Sequence, residues 1–408
     1  MRCGLLGRHL THSYSPQIHS HLGTYRYDLF PTEPENLDTF LKSGAFDGLN
    51  VTVPYKKVVI PYCRELTPIA AKLGAVNTIV RRPDGSLLGH NTDFFGFETM
   101  VRQSGLAVGG KKALVLGSGG ASNTAVAVLE ELGAQVIVIS RKGENNYQNL
   151  HLHADASLIV NATPVGMYPD NGLAPLSLGG FPQLEGVLDI VYNPARTALL
   201  LEAENRGLVT MNGLKMLVAQ AWESAQWFTG CPIVEEKIQT IYQLLRCQME
   251  NIVLIGMPGS GKSTVGRLLA EKTGKRFVDA DAAIVQKAGC TIPEIFQNQG
   301  EHAFRELETA VLDDLGKQSG LVIATGGGCV TRAENHPLLH QNGYIFCLDR
   351  SLESLPTDGR PLSQATALSE LYRVRKPLYD RFADVHVDNN GAADATAAKI
   401  LQLWEERQ

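Results

Sequence analysis

The sequence predicts an α/β protein built on parallel sheets, and two observations predict it. Short apolar runs alternate with helix-length periodic segments along all 408 residues, which is the pattern that strand–helix–strand crossovers impose. Two glycine-rich junctions, GSGGAS at 117–122 and GMPGSGKST at 256–264, each close an apolar run and open a helical one. No apolar stretch approaches the roughly 20 residues that a membrane span needs. The length suits two or three domains.

The elements follow in order. Predicted strands are Ala113–Leu116, Val136–Ile139, Leu158–Asn161, Val187–Ile190, Ile252–Ile255 and Leu321–Ala324. Each glycine-rich junction is expected to head its own doubly wound sheet. Gly143–Ala156 is too short for the usual strand–helix unit, so one helix is expected to be missing there. Cys231–Glu250 reads as helical through Ile233–Leu245 and then polar, and it marks the join between two parts. No Gly/Ser-rich or Pro-rich tether separates them.

Composition excludes several classes. The chain is 44% hydrophobic and 19% charged, with a formal charge of −5. Residues 1–246 carry 20 basic and 21 acidic side chains, and the remainder 17 and 21. Neither part is basic, so no nucleic-acid partner is expected. Seven cysteines with no CxxC pair read as reduced cytosolic thiols. Arg8 and His9 interrupt the first apolar run, so no signal peptide is expected and the localisation reads as cytoplasmic. The composition says nothing of oligomeric state.

Gly256, Gly261, Lys262 and Ser263 satisfy the phosphate-loop pattern G-x-x-x-x-G-K-[ST] in a strand–loop–helix setting. Such glycines let backbone N–H groups wrap a phosphate, and the helix start adds its positive dipole end. Lys262 supplies charge toward the β- and γ-phosphates, and the Ser263 hydroxyl can ligate Mg²⁺. Downstream, FVDADAAI places Asp279 and Asp281 two apart at a predicted strand end, hence on one face. GEHAFRELE follows with Arg305, ATGGGC with Gly326, Gly327 and Gly328, DGRPL with Arg360, and VRKPLYDRFA with Arg375.

This ordered set resembles the shikimate kinase family over essentially all of 251–408. The resemblance implies Mg·ATP as phosphoryl donor and shikimate as acceptor. It implies that Gly259, Ser260, Gly261, Lys262, Ser263 and Thr264 hold the nucleotide and that Asp279 joins Ser263 around Mg²⁺. Asp281 would bind the ring hydroxyls and orient, or deprotonate, the attacking one. Arg305 and Arg375 would clamp the carboxylate, Gly327 would offer a backbone N–H, and Arg360 would be the lid residue. The duller alternatives are a solvated helical face for Arg305, with Glu306 and Glu308, and a simple Arg375–Asp380 pair. The segment LESLPTDGRPL is shorter than the family's usual lid and lacks its upstream arginine, offering Glu353 and Leu355 instead.

GSGGAS, with Gly117, Ser118, Gly119, Gly120 and Ala121, is a degenerate dinucleotide fingerprint whose third glycine position is Ser122. At the next strand end, where an NAD site usually places an acid, stand Ser140, Arg141 and Lys142. This favours the 2′-phosphate of NADP, unless both cations are simply solvated loop charges. The other motifs are SYSP with Ser13 and Ser15, NVTVPYK with Thr52 and Lys56, GAVNT with Asn77, and HNTD with Asp93. Further on stand NATPVGM, DIVYNP with Ile190 and Tyr192, and NGLKMLVAQ with Gly213 and Gln220.

Together these resemble the shikimate dehydrogenase family over about residues 1–246. The resemblance implies a substrate domain at 1–105, completed by about 215–246, a Rossmann NADP domain at 106–214, and a separate P-loop kinase domain at 251–408. It implies that Ser13, Ser15, Thr52, Lys56, Asn77, Asp93, Tyr192 and Gln220 surround 3-dehydroshikimate, and that Ile190 and Gly213 face the cofactor. Reduction of a ring ketone needs a proton for the nascent alkoxide. Lys56 and Asp93 are the candidate pair for that transfer, and the motif leaves open which is the acid. The departures are S-R-K in place of the family's common N-R-T, Phe94 and Phe95 after Asp93, and Lys215 where glycine is common. His9, His12, His19 and His21 lack a Cys or acidic companion for zinc and are expected to line the substrate entrance or the surface.

The favoured reading is a bifunctional shikimate-pathway enzyme. The alternatives are a quinate/shikimate dehydrogenase with an impaired kinase half, and a non-catalytic metabolite-sensing regulator.

Overall fold

The structure is a computed structural model and describes residues 1–10, 13–355 and 368–407. Every strand predicted above is present, displaced by at most one residue at either end. The chain divides into two compact units, one of 1–167, 172–192 and 199–244, the other of 168–171, 193–198 and 245–408. Among the described residues no helix is long and apolar enough to cross a membrane.

The first unit holds two sheets. Strands β1 (Arg2–Gly7), β2 (Arg26–Pro31), β3 (Gly48–Val51), β4 (Glu65–Leu66), β5 (Thr78–Arg81) and β6 (Leu87–His90) form a six-stranded sheet in the order β2-β1-β3-β5-β6-β4. This sheet, which neither glycine-rich junction heads, is mixed: β5 runs antiparallel to both β3 and β6. The reason lies in the turn Arg82–Ser86. Gly85 takes φ 83° there, and Asp84 Oδ1 accepts from the Ser86 N–H at 2.9 Å, so the chain reverses with no crossover helix.

Strands β7 (Lys112–Leu116), β8 (Gln135–Ile139), β9 (Leu158–Asn161), β10 (Gly186–Asp189) and β11 (Val209–Asn212) form an all-parallel sheet in the order β11-β10-β9-β7-β8. Between β8 and β9 there is only a 3₁₀ turn, Leu150–His153, where the short segment 143–156 predicted a missing helix.

The second unit carries β12 (Asn251–Ile255), β13 (Arg276–Asp279), β14 (Leu321–Ala324), β15 (Gly343–Asp349) and β16 (Val385–Asp388), parallel in the order β13-β14-β12-β15-β16. The strand interiors read as unbroken apolar runs because both faces are covered, Val253, Ile255 and Ile323 packing to one side and Ile252, Leu254 and Val322 to the other. The helix before β12 runs from Glu236 to Met249, not Ile233 to Leu245. Its apolar positions Ile238, Ile241, Leu245 and Met249 keep helical spacing through the polar-looking end.

In both parallel sheets the glycine-rich loop leaves the carboxyl end of an interior strand, β7 or β12. Ligands of open parallel sheets bind beyond those ends.

Candidate active sites

Lys56 and Asp93 stand 37 positions apart, yet Lys56 Nζ donates to Asp93 Oδ2 at 2.6 Å. Topology brings them together. Because β5 is antiparallel to both neighbours, its start lies beside the ends of β3 and β6, and the three loops at 52–59, 75–77 and 91–93 meet. Val76 N–H donates to the Lys56 carbonyl at 2.7 Å, and Asn77 N–H to the His90 carbonyl at 3.1 Å. Asn77 Nδ2 then donates to Asp93 Oδ1 at 2.9 Å, while its Oδ1 accepts from Thr92 N–H at 2.7 Å. Asp93 opens the helix Asp93–Gln103, where the helix dipole favours a carboxylate. Both carboxylate oxygens are thus committed, and the lysine side chain keeps 29% exposure against 15% for the aspartate.

Gln220 joins this group through Thr92 Oγ1, which lies 3.5 Å from its Oε1. Thr52 sits at the carboxyl end of β1, its N–H donating to the Leu6 carbonyl at 2.9 Å. Ser13 Oγ accepts from Ser15 N–H at 3.2 Å, and Tyr14 between them meets Tyr192 edge-on with ring centroids 6.2 Å apart. Among the described residues no hydrogen bond links either serine to Lys56 or Asp93. His12 lies outside the described residues. His19 corrects the expectation for the histidines: it is buried, stacked 3.9 Å from the Tyr27 ring, and bonded through Nδ1 to Tyr25 at 2.6 Å. Burial pushes its pKa down to about 3, so it stays neutral.

The loop after β7 leads straight into the N-terminus of a helix, a place where backbone N–H groups and the dipole favour an anion. Gly117 takes φ 111°, and the Ser122 hydroxyl, buried in the position of a third glycine, donates to the Gly117 carbonyl at 2.7 Å. That bond replaces the missing glycine's close packing with a tie across the loop. A Cβ on Gly119 or Gly120 would meet nothing within 4 Å, so the loop stands open in front of the helix Gly120–Glu131. Gly117 N–H donates to the Ile139 carbonyl at 2.8 Å, which sets Ser140 and Arg141 beside it. Arg141 and Lys142 are exposed. Gly213 is required by contact, since a Cβ there would fall 1.9 Å from the Ile190 carbonyl oxygen.

Lys215, two residues on, is buried, donates to Gln239 Oε1, and lies 3.9 Å over the Tyr242 ring. Burial pushes its ammonium down to about 8. A folded pKa below the unfolded value means that the native state resists the proton. The cost is full below pH 8 and fades as pH rises toward the unfolded value. Lys215→Met is therefore expected to stabilise the chain at pH 7 by roughly 1–2 kcal/mol, net of the lost cation–π contact. Thermal melts should show the gain shrinking between pH 8 and 10.

In the second unit, a cavity of about 720 Å³ is lined by the phosphate loop, Asp279, Asp281, Arg305, the three glycines 326–328, Arg350 and Arg375. Gly256, Gly259 and Gly261 take φ of 139°, 85° and 93°, which only glycine adopts freely. Lys262 opens the helix Lys262–Thr273, and its Nζ donates to the Gly256 and Met257 carbonyls, each at 2.9 Å. Ser260 Oγ is buried and has no hydrogen-bond partner among the described residues. Ser263 Oγ donates to Asp279 Oδ2 at 2.7 Å, the hydroxyl–carboxylate pair that a magnesium ion takes. Thr264 lines the same loop.

Asp279 and Asp281 do share the cavity, but not as neighbours on one strand face. Asp279 ends β13 and caps the helix Ala280–Ala288, its Oδ1 accepting from the Asp281 and Ala282 N–H groups at 3.1 and 3.3 Å. The extended run stops at the cap, so Asp281 reaches the cavity from the first helical turn.

Arg305 is buried rather than a solvated face. Its Nη1 donates to Glu308 Oε2 at 2.7 Å and its Nη2 to Glu301 at 3.2 Å. Burial pushes the Glu308 carboxyl up, the Arg305 guanidinium offsets part of the rise, and the Asp281 charge adds to it. Arg375 donates to the Gly327 carbonyl at 3.1 Å, and it is Lys376 that pairs with Asp380 at 2.9 Å.

The three glycines each face a site group. An added Cβ would fall 2.7 Å from Asp281 Oδ1 at Gly326, 2.7 Å from Pro258 at Gly327, and 2.4 Å from the Arg305 guanidinium at Gly328. For Gly327 the obstacle is therefore the phosphate-loop proline. Arg360 lies outside the described residues.

Sequence reasoning missed three groups here. Glu308 is three residues after Arg305, and Tyr379, whose hydroxyl donates to the Gly327 carbonyl at 2.5 Å, is four after Arg375. Helical spacing from a known arginine would have found both. Arg350 carried no such signal, since it only ends an apolar strand.

Known proteins match both units. The family model described as the shikimate dehydrogenase substrate binding domain matches residues 5–79, and the shikimate kinase model matches 258–405. Shikimate dehydrogenase (NADP(+)) of Symbiobacterium thermophilum is 35% identical over 261 residues, covering 55% of this chain and 88% of that protein. The crystal structure of shikimate dehydrogenase 1 from Peptoclostridium difficile superposes with a TM-score of 0.55 at 36% identity, over 60% of this chain and 97% of that one. That of shikimate 5-dehydrogenase from Thermus thermophilus, in complex with NADP(H) and shikimate, gives 0.55 at 32% identity, over 60% and 99%. With the lysine–aspartate pair, the open dinucleotide loop and the phosphate-loop cavity in one polypeptide, the chain belongs to the shikimate dehydrogenase family through its first part and carries a shikimate kinase domain in its second.

Proposed function

We propose that this chain catalyses two successive steps on one ring acid: reduction of 3-dehydroshikimate to shikimate with NADPH, then phosphorylation of the shikimate 3-hydroxyl with Mg·ATP. The observation that carries the reading is that one polypeptide holds both a fixed ammonium beside a dinucleotide fold and a phosphate loop opening on a cavity with two arginines and an aspartate.

In the first site NADPH, when bound, supplies the hydride. Lys56 donates the proton to the carbonyl oxygen as charge develops on it, and its own charge stabilises that oxygen. Asp93 and Asn77 hold the ammonium in place. Ser13, Ser15, Thr52, Tyr192 and Gln220 bind and orient the acid. Gly117 to Ala121, Ser140, Arg141, Ile190 and Gly213 hold the cofactor, with Arg141 toward the 2′-phosphate.

In the second site Ser263 and Asp279 would hold magnesium, which when bound would neutralise phosphate charge, and Lys262 with the loop N–H groups cradles the phosphates. Arg305 and Arg375 take the carboxylate of shikimate, since a planar guanidinium matches it. Asp281 takes the reacting hydroxyl, and Gly327 offers its N–H. The seven cysteines are all free, consistent with a reducing, cytoplasmic setting. The partners are small molecules, with no nucleic acid and no membrane.

The test is a coupled assay on the full chain with 3-dehydroshikimate, NADPH and Mg·ATP. Shikimate 3-phosphate should accumulate to the amount of NADPH oxidised. Shikimate without phosphate would mean an impaired kinase, and unconsumed NADPH a sensor or a different oxidoreductase. A parallel arm with quinate and NAD should turn over far more slowly.

A further inference from the structure

A cluster that neither proposed reaction uses lies on the sheet face toward the helix Leu368–Phe382. β15 carries Cys347 and Asp349 two residues apart, hence on one face. The parallel register sets His386 of the edge strand β16 beside Cys347. Val385 and Val387 turn to the opposite side with Phe346 and Leu348, while Cys347 packs with Tyr379 and Phe382, so the three donors share a side.

Asp349 stands between the other two. Its Oδ1 is 3.7 Å from Cys347 Sγ and its Oδ2 is 3.0 Å from His386 Nδ1. All three ligand atoms fall within 4.8 Å of one another. Tetrahedral zinc, with bonds of about 2.0–2.3 Å, needs donor atoms roughly 3.3–3.7 Å apart, a spacing that small side-chain rotations here would reach.

A second observation concerns the other ring nitrogen. His386 Nε2 lies 3.3 Å from Asp380 Oδ1, on the covering helix. A carboxylate behind the ring is what fixes the tautomer and orientation of a metal-ligating histidine. Asp349 is half exposed and His386 about a third, so an ion can enter from solvent.

We propose that Cys347, Asp349 and His386 form a divalent-metal site of the zinc class in the kinase domain, with water in the fourth position and Asp380 supporting His386. On binding, the Cys347 thiol releases its proton to solvent and the thiolate joins the ion. The site would clamp β15 to β16 just before they reach the nucleotide loop. Asn389, following β16, donates its N–H to the Asp349 carbonyl at 2.7 Å and its Nδ2 to the Ser260 carbonyl at 2.6 Å. Metal at the cluster therefore tunes the KM for ATP and leaves the reductase unaffected.

The test is titration of the full chain with Co²⁺ as a spectroscopic probe, followed by displacement with Zn²⁺. One equivalent should produce a thiolate-to-cobalt charge-transfer band that zinc abolishes. Cys347→Ser should remove the band, and His386→Gln should weaken cobalt binding by roughly tenfold or more. His386→Gln changes a partly exposed side chain of the kinase domain, so its reductase rate should be unchanged and its melting temperature without added metal close to the parent's. It decides the matter even if Cys347→Ser folds poorly. Absence of the band in the parent chain, or equal binding by the parent and His386→Gln, would overturn the assignment.

Discussion

Lys56→Ala is expected to lower the turnover of 3-dehydroshikimate reduction by roughly 10²–10⁴-fold, the span that a positioned general acid contributes. Phosphorylation of added shikimate should be unaffected. Geometry supports the large effect. The ammonium is held at 2.6 Å by a carboxylate whose second oxygen is already taken by Asn77, so its position does not have to be found during the reaction. Lys56 keeps 29% exposure, and the fold should survive its truncation.

The loss should fall on kcat more than on KM, because the proton and the charge matter most as the alkoxide forms. Asp93→Asn separates the two candidates for the acid. If Lys56 is the donor, the asparagine variant keeps part of the rate, with an altered pH profile, because the amide can still accept from the ammonium. Near-normal turnover of Lys56→Ala in a stopped-flow NADPH assay would move the acid to Asp93.

Lys262→Ala should lower the kinase rate by roughly 10²–10³-fold, the scale set by removing one fixed donor from a developing oxyanion, while NADPH oxidation continues at the parental rate. Phosphoryl transfer asks the protein mainly for position and charge, and Lys262 is the only ammonium within the phosphate-loop motif. The substitution has a structural side as well. Its Nζ bonds the Gly256 and Met257 carbonyls, and leaving those buried acceptors without it should cost about 1–2 kcal/mol in thermal stability. Lys262→Arg keeps a donor and a charge, so it should recover stability without recovering rate. Were Lys262→Ala to phosphorylate shikimate normally, the loop would not be the nucleotide site.

The parts legible in the sequence were those with a local signature. The two glycine-rich junctions were readable because a tight phosphate-binding turn needs glycine at particular φ values, and the strands because a strand covered on both faces must be apolar throughout. Other features escaped. The Pro83-Asp84-Gly85 turn within Arg82–Ser86 does carry a local signal that the reading above leaves unused, although it decides that the first sheet is mixed. Asp281 was read as a strand residue because nothing local announces that Asp279 caps a helix. Arg350 differs from a surface residue only in what faces it, whereas Glu308 and Tyr379 carry the weak signal of helical spacing from Arg305 and Arg375.

Residue order alone was enough to indicate an α/β chain with a dinucleotide-type turn in its first part and a phosphate loop in its second, and to name candidate side chains for each. Contact was beyond its reach. The antiparallel placement of β5 brings Lys56, Asn77 and Asp93 into one network, and the approach of the helix Leu368–Phe382 sets Arg375 on Gly327. Such meetings depend on which strands pair and in which direction. The Arg82–Ser86 turn sets the β5–β6 direction locally, but the pairing of β5 with β3, distant in sequence, is settled by burial summed over the whole sheet.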